Sequence, residues 1–184
     1  MTSAREELRR QARDKTAAEV AQLEQRGLVL AGNGFASVLL VKGEPGPAEA
    51  AGGVLLSGAD GAALHAALER LGYAPEDWCA LSAVTAAGAP VDPEGFRLAL
   101  AALSPSTVIL CDETAANLAR ETLAPELVAL PRLECAMLQP GYVTEVLGLR
   151  LLNLGGFEAA LADPAAKQLQ WAYLKQLPPL GEPY

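Results

Sequence analysis

The sequence predicts an α/β fold of three layers, with helices on both faces of a central, mainly parallel β-sheet. Short apolar runs of strand length alternate along the chain with longer segments whose apolar residues recur at helical spacing. The apolar runs are continuous, which is typical of parallel strands that are buried on both faces. A chain of 184 residues is expected to form one domain with a sizeable core.

The chain begins with a charged segment that predicts a helix over residues 3–25. Ser3 and Glu6 have the spacing of a capping box. We expect a solvated helix that packs through three apolar residues, which are Leu8, Val20 and Leu23. The alternative is a nucleic-acid-binding arm, because Arg9, Arg10 and Arg13 would form a small basic face.

Four strands are predicted in the remainder of the chain. Apolar runs predict strands over residues 36–42, 79–84 and 106–111, and a fourth over 145–154. The first of these ends at residues 42–46, a cluster of turn-forming residues. The fourth is expected to form a hairpin-like pair with residues 132–138, because Gln139, Pro140 and Gly141 stand between them.

Four further helices are predicted between and after these strands. Apolar spacing predicts a helix over residues 61–71, closed by Gly72 as its C-cap. An aspartate followed by proline marks the start of two more helices, over residues 92–103 and 163–177. Another helix follows the third strand, over residues 113–123. The predicted organisation is a charged N-terminal helix (1–27), an α/β core (28–177) and a surface tail (178–184).

Composition and charge exclude several classes of protein. The net charge is -8 and the only histidine is His65, so tight binding to phosphates and a multi-histidine metal site are both disfavoured. The three cysteines contain no CxxC pair, which argues against a disulfide scaffold or a cysteine-only metal site. No apolar stretch near the start is long enough to cross a membrane, and a cytoplasmic location is expected.

Two titratable residues, His65 and Cys111, are candidates for a chemical role. His65 lies on the predicted helix four residues before Glu69, and an exposed or half-exposed histidine paired with this glutamate is expected. Cys111 lies at a strand end beside Asp112 and Glu113. It is expected to be a buried packing residue, because neighbouring carboxylates raise the pKa of a thiol.

Several segments, taken in order, resemble the uracil-DNA glycosylase superfamily, closest to its iron–sulfur class. Residues 41–49 (VKGEPGPAE) resemble its first loop, and residues 161–167 (LADPAAK), with Trp171 and Lys175, resemble its closing helix. Weaker likenesses occur at residues 53–61, 92–94 and 104–110, so that the resemblance spans about residues 36–177. It implies the α/β/α fold of that family, in which a uracil base is extruded from DNA and cleaved from its sugar.

The resemblance also implies four functional positions, and this chain departs from the family at each. The family's water-handling acid falls on Gly43, or one place later on Glu44. Its base-stacking phenylalanine falls on Leu56, and its base-reading asparagine on Ser82. Its histidine, which stabilises the departing base, falls on Gly156. The four cluster cysteines have no counterpart, so no iron–sulfur cluster, metal or other cofactor is expected.

These departures predict a non-catalytic protein that acts as an interaction or ligand-binding module, with a protein partner and weak or absent DNA binding. One alternative is a divergent DNA glycosylase that excises a damaged base with Glu44 as its water-activating acid, the only catalytic candidate. Another is a small-molecule or nucleotide binder that kept the pocket. In each case the expected pocket residues are Lys42, Gly43, Glu44, Pro45, Gly46, Leu56, Ser82, Gly155, Gly156 and Phe157.

Overall fold

The computed structural model describes residues 3–181, and its centre is a six-stranded, mostly parallel β-sheet. Its strands are β1 (Leu30–Gly32), β2 (Val38–Lys42), β3 (Cys79–Ser82), β4 (Thr107–Leu110), β5 (Val143–Val146) and β6 (Leu149–Asn153). They lie in the order β1-β3-β2-β4-β6-β5. The four inner strands are parallel to one another, and the two edge strands are antiparallel to their neighbours.

Nine helices within the described residues connect and cover the strands. They are α1 (Ala4–Gln25), α2 (Pro47–Ala50), α3 (Ala59–Leu71), α4 (Pro93–Leu103), α5 (Glu113–Thr122), α6 (Ala124–Val128), α7 (Leu133–Ala136), α8 (Phe157–Ala160) and α9 (Pro164–Leu174). The protein is therefore a mixed α/β protein, as the alternation of apolar patterns predicts. None of the helices described is both long and apolar enough to cross a membrane.

Both faces of the sheet are buried, which explains the continuous apolar runs of the inner strands. Every residue of β2 is buried. Because side chains alternate along a strand, Leu39 and Val41 join the core formed with α1, α4, α5 and α6. Val38 and Leu40 join a second core, formed with α3, α8 and α9. Helices thus cover the sheet on both sides.

The predicted hairpin is misplaced. Residues 132–138 contain the short helix α7 instead of a strand. The hairpin is formed by β5 and β6, so that the single strand predicted over 145–154 is in fact the end of β5, a turn and β6. Its turn is formed by Leu147 and Gly148, whose φ angles are 52° and 75°. A two-residue turn with positive φ at both positions matches the right-handed twist of antiparallel strands, and glycine adopts it without strain. Gly141 lies before β5 instead of within the turn.

The N-terminal helix follows its predicted capping but only part of its predicted packing. The capping box between Ser3 and Glu6 is formed. Leu23 is buried and Val20 packs against the same core, whereas Leu8 is 66% exposed, so its predicted packing is wrong. The edge strand β1 was not predicted, because three residues are too short for a periodic signal. Of the predicted tail, residues 178–181 are exposed and residues 182–184 lie outside the described residues.

Candidate functional site

The parallel inner strands bring four loops to one edge of the sheet, where ligands bind in folds of this class. Lys42 ends β2 directly beside Ser82 at the end of β3. Asn153 ends β6 directly beside Leu110 at the end of β4. These strand ends and the loops that follow them contain all of the predicted pocket residues except Leu56 and Phe157, the first residue of α8. This edge is accordingly the candidate site.

The Asp112 carboxylate closes the loop that follows β2. Its Oδ2 atom accepts hydrogen bonds from the backbone N–H groups of Gly43 and Glu44, both at 2.9 Å. Its Oδ1 atom accepts from the N–H of Ala115 at 2.9 Å, which caps α5. Asp112 is buried. The backbone donors that such a loop would offer to an anionic ligand are therefore already occupied by the protein's own carboxylate.

Gly43 is packed so closely that no other residue fits in its place. A Cβ atom built on Gly43 would lie 2.4 Å from the Cβ of Thr114 and 2.9 Å from Oδ1 of Asp112. The position of the family's water-handling acid is thus occupied by neighbouring atoms. The next residue, Glu44, is exposed, and Oγ1 of Thr114 lies 3.5 Å from its Oε1.

Lys42 is a buried cation surrounded by three carboxylates. Its Nζ lies 2.5 Å from Oδ2 of Asp60, 3.0 Å from Oε2 of Glu158 and 3.1 Å from Oε1 of Glu49. Burial alone would lower the pKa of Lys42, but the hydrogen bonds to these carboxylates outweigh that effect and raise the pKa above its usual value. Lys42 therefore stays protonated and is not available as a nucleophile or base.

Glu49 joins the Lys42 cluster to the segment before α3. Besides Lys42, it accepts the backbone N–H of Leu56 at 2.9 Å and that of Gly46 at 3.0 Å. Burial tends to raise the pKa of Glu49, but the Leu56 hydrogen bond and the Lys42 ammonium outweigh burial and lower the pKa. The ionised carboxylate is thus the form that this region of the fold requires.

Leu56, at the position of the family's stacking ring, is a core residue. Its side chain is 3% exposed and packs with Leu64 and Phe157 beneath α3. Its φ angle of 58° belongs to the left-handed region, which is costly for a leucine. The burial of its side chain and the hydrogen bond from its N–H to Glu49 hold it there. A base could reach this position only if Leu56 left the core.

Seven of the ten predicted pocket residues line one or both of two spaces. The larger, here called the strand-end cleft, has a volume of about 290 Å³ and is lined by Lys42, Gly43, Glu44, Pro45 and Ser82 together with Val29, Glu49, Gly53, Leu55, Val84 and Thr85. Oγ of Ser82 accepts the backbone N–H of Val84 at 3.0 Å, so this hydroxyl already has a partner within the loop.

The second space, here called the inner cavity, measures about 60 Å³ and adjoins the strand-end cleft at Lys42 and Glu44. It is lined by Lys42, Glu44, Asp60, Cys111, Asp112, Gly156, Phe157, Glu158 and Ala159. Its volume is too small for a nucleobase. Gly46, Leu56 and Gly155 line neither space.

The loop after β6 is held by its own hydrogen bonds. The N–H of Gly155 donates to Oδ1 of the buried Asn153 at 2.8 Å, and the N–H of Phe157 donates to the carbonyl of Cys111 at 2.9 Å. At Gly156, the position of the family's histidine, a Cβ atom would meet nothing within 4 Å. Gly155 therefore has no free backbone donor for a departing base, and Gly156 brings no side chain.

Acidic residues dominate the candidate site. Five carboxylates line the two spaces, and Lys42 is the one cation among the lining residues described. They are Glu44, Glu49, Asp60, Asp112 and Glu158. An excess of negative charge opposes both a phosphate backbone and a base that leaves as an anion.

The cysteines and the histidine are not part of a metal-binding group of side chains within the described residues. Burial raises the pKa of the Cys79 thiol to about 11, and burial followed by the charge of Asp112 raises the pKa of Cys111. Among residues 3–181, no group of three or more histidine, cysteine, aspartate or glutamate side chains is placed so that it could hold a metal ion. Instead of pairing with Glu69, His65 is half-buried and its ring stacks on Trp78 with centroids 4.1 Å apart. Burial lowers the pKa of His65.

Three carboxylates of the site were missed by sequence reasoning. Glu49, Asp60 and Glu158 were not assigned any role, yet all three contact Lys42. The signal available was Lys42 itself, because a lysine that continues a fully apolar strand has to find carboxylate partners when it is buried.

No protein-family model matches the chain, and a search of the curated proteins returns no match.

Proposed function

We propose that this chain is a uracil-DNA glycosylase-like protein without glycosylase activity, which acts by binding a partner or ligand. One observation carries the proposal: Gly43 lies against Thr114 and Asp112, so that the position of the water-handling acid has no room for a carboxylate. Replacing Gly43 with an acid would force α5 away from the end of β2. The absence of this acid is thus part of the packing of the chain.

The other three positions support the same conclusion by different physical routes. Leu56 is needed in the core, Ser82 is engaged with Val84, and Gly156 brings no donor side chain. Each electrostatic group of this kind typically accounts for roughly 3–4 kcal/mol of a reaction barrier. Without the amide and the histidine, the barrier to base release would be higher, and the rate of base release would be lower by several orders of magnitude.

The test is a strand-cleavage assay on a uracil-containing oligonucleotide at low salt, where electrostatic binding is strongest. Wild-type protein, Glu44→Gln and Glu121→Gln are compared, because Glu121 is exposed on α5 and lines neither space. The proposal expects background cleavage from all three. Turnover lost only in Glu44→Gln would overturn it and make Glu44 the water-activating acid. Turnover in all three would overturn it as well.

A further inference from the structure

A separate cleft lies between α3, α8 and α9, on the face of the sheet that carries the Leu64 core. Its volume is about 310 Å³, within the range of small-ligand sites. It is lined by Ala63, Ala66, Ala67, Arg70, Phe157, Leu161, Lys167, Gln170, Trp171 and Leu174. We call it the α3/α9 cleft. Only Phe157 also lines the inner cavity, so the two sites can be tested independently.

The walls of the α3/α9 cleft are apolar and differ in size on its two sides. On α3, Ala63, Ala66 and Ala67 recur at helical spacing and leave the space open. The opposite wall consists of larger side chains, among them Leu161 and Trp171. Such a space accepts a flat or short apolar body that contacts both walls.

Two cations stand at this cleft in a chain whose net charge is -8. They are Arg70 and Lys167, and neither takes part in any ion pair formed between residues 3 and 181. The Arg70 guanidinium is stacked over the Trp171 ring, 4.9 Å from its centroid. This stacking fixes the guanidinium in place and leaves its N–H groups available to a carboxylate.

We propose that the α3/α9 cleft binds a small amphipathic carboxylate. Its apolar body lies between the alanines of α3 and Trp171, and its carboxylate pairs with Arg70 and Lys167. This goes beyond the proposed function, since binding in the α3/α9 cleft involves no residue of the strand-end cleft. Such binding is expected whether or not the protein releases uracil.

The experiment uses the full chain and calorimetric titration with indoleacetate, tryptophol and tryptamine, which share one ring and differ in charge. Indoleacetate is expected to bind at least tenfold more tightly than tryptophol, because a hydrogen bond to a charged group is lost in the neutral compound. Tryptamine is expected not to bind.

Matched variants assign any binding to the cleft. Ala67→Leu fills it and is expected to abolish binding, whereas Ala62→Leu, an exposed position on the same helix, leaves binding unchanged. Lys167→Gln is expected to weaken indoleacetate about tenfold and tryptophol hardly at all, while Lys175→Gln, outside the cleft, changes neither. Circular dichroism checks that each variant is folded.

Three outcomes overturn the proposal. They are no binding of indoleacetate at millimolar concentration, equal affinity for tryptamine and indoleacetate, or binding that survives Ala67→Leu. Uracil release by the wild-type protein would contradict the proposed function and leave this result untouched.

Discussion

Asp112 accepts the backbone N–H groups of both Gly43 and Glu44, and it thereby ties the end of β2 to the start of α5 across the sheet edge. A buried carboxylate with several N–H donors is a strong, charge-assisted arrangement. The Asp112 carboxylate lies at the carboxyl ends of the parallel strands, where open α/β sheets usually bind a ligand. The same residue serves as the N-cap of α5, so fold and site depend on one side chain.

Asp112→Ala is expected to lower the free energy of unfolding by roughly 3 kcal/mol, because it removes a helix cap and leaves three backbone donors unpaired, of which those of Gly43 and Ala115 are buried. Urea unfolding measures the loss. The control is Asp163→Ala, which removes the exposed N-cap of α9. It is expected to cost only about 1 kcal/mol. Equal losses in the two variants would show that the contacts to Gly43 and Glu44 contribute nothing.

Lys42→Met is expected to destabilise the fold by roughly 3–5 kcal/mol, because Asp60 and Glu49 would remain buried without a counter-charge. Thermal unfolding followed by circular dichroism measures this loss. Lys15→Met is the matched control, since Lys15 contacts Glu19 on the exposed part of α1 and its removal leaves stability nearly unchanged. If the two variants unfold at the same temperature, the cluster around Lys42 does not stabilise the fold.

Glu49 predicts how stability depends on pH in the acid range. The pKa of Glu49 is lowered in the folded state, so its contribution is complete above its ordinary value of 4.5 and is lost as pH falls through the folded value. The stability difference between wild type and Glu49→Gln should therefore shrink below pH 4.5. Urea unfolding at a series of pH values measures it, and a difference that stays constant down that series would contradict the assignment.

His65, the chain's one histidine, is expected to titrate below 6.5 because burial under Trp78 disfavours its charged form. A lowered pKa means that stability is complete above pH 6.5 and declines as pH falls through the folded value. Because the chain has one histidine, the signal of its Cε1 ring proton in proton NMR gives the pKa directly. In Trp78→Leu the pKa should move up towards the ordinary value. A pKa of 6.5 or higher in the wild type would rule out the stacked, half-buried ring.

The sheet was predictable because its inner strands carry a local signal. Residues 38–41 and 108–111 are continuous apolar runs of strand length, and burial on both faces leaves no other pattern. The hairpin was misplaced because a proline and a glycine at residues 140–141 signal a turn more strongly than Leu147 and Gly148. The true turn depends on a leucine at positive φ, which no propensity favours.

The position of the candidate site was predictable from the sequence, but its contacts were not. The loop after β2 could be located from its glycines and prolines, but its chemistry depends on residues far apart in the sequence. Asp60 lies on α3 and Glu158 on α8, and they meet Lys42 only after the helices pack on the sheet. Asp112 could be identified as a helix cap, whereas its bonds to Gly43 and Glu44 cross between two strands.

In the loop after β2, the backbone N–H groups of Gly43 and Glu44 donate to Asp112 and are not available to a ligand. Proton–nitrogen correlation spectra of the Gly43 and Glu44 amides test it directly, through their hydrogen exchange and a titration with uracil-containing oligonucleotide at low salt. We predict that both amides are protected from exchange and that their signals do not move during the titration. Rapid exchange, or saturable shifts at these two amides that a matched thymine oligonucleotide does not produce, would contradict it.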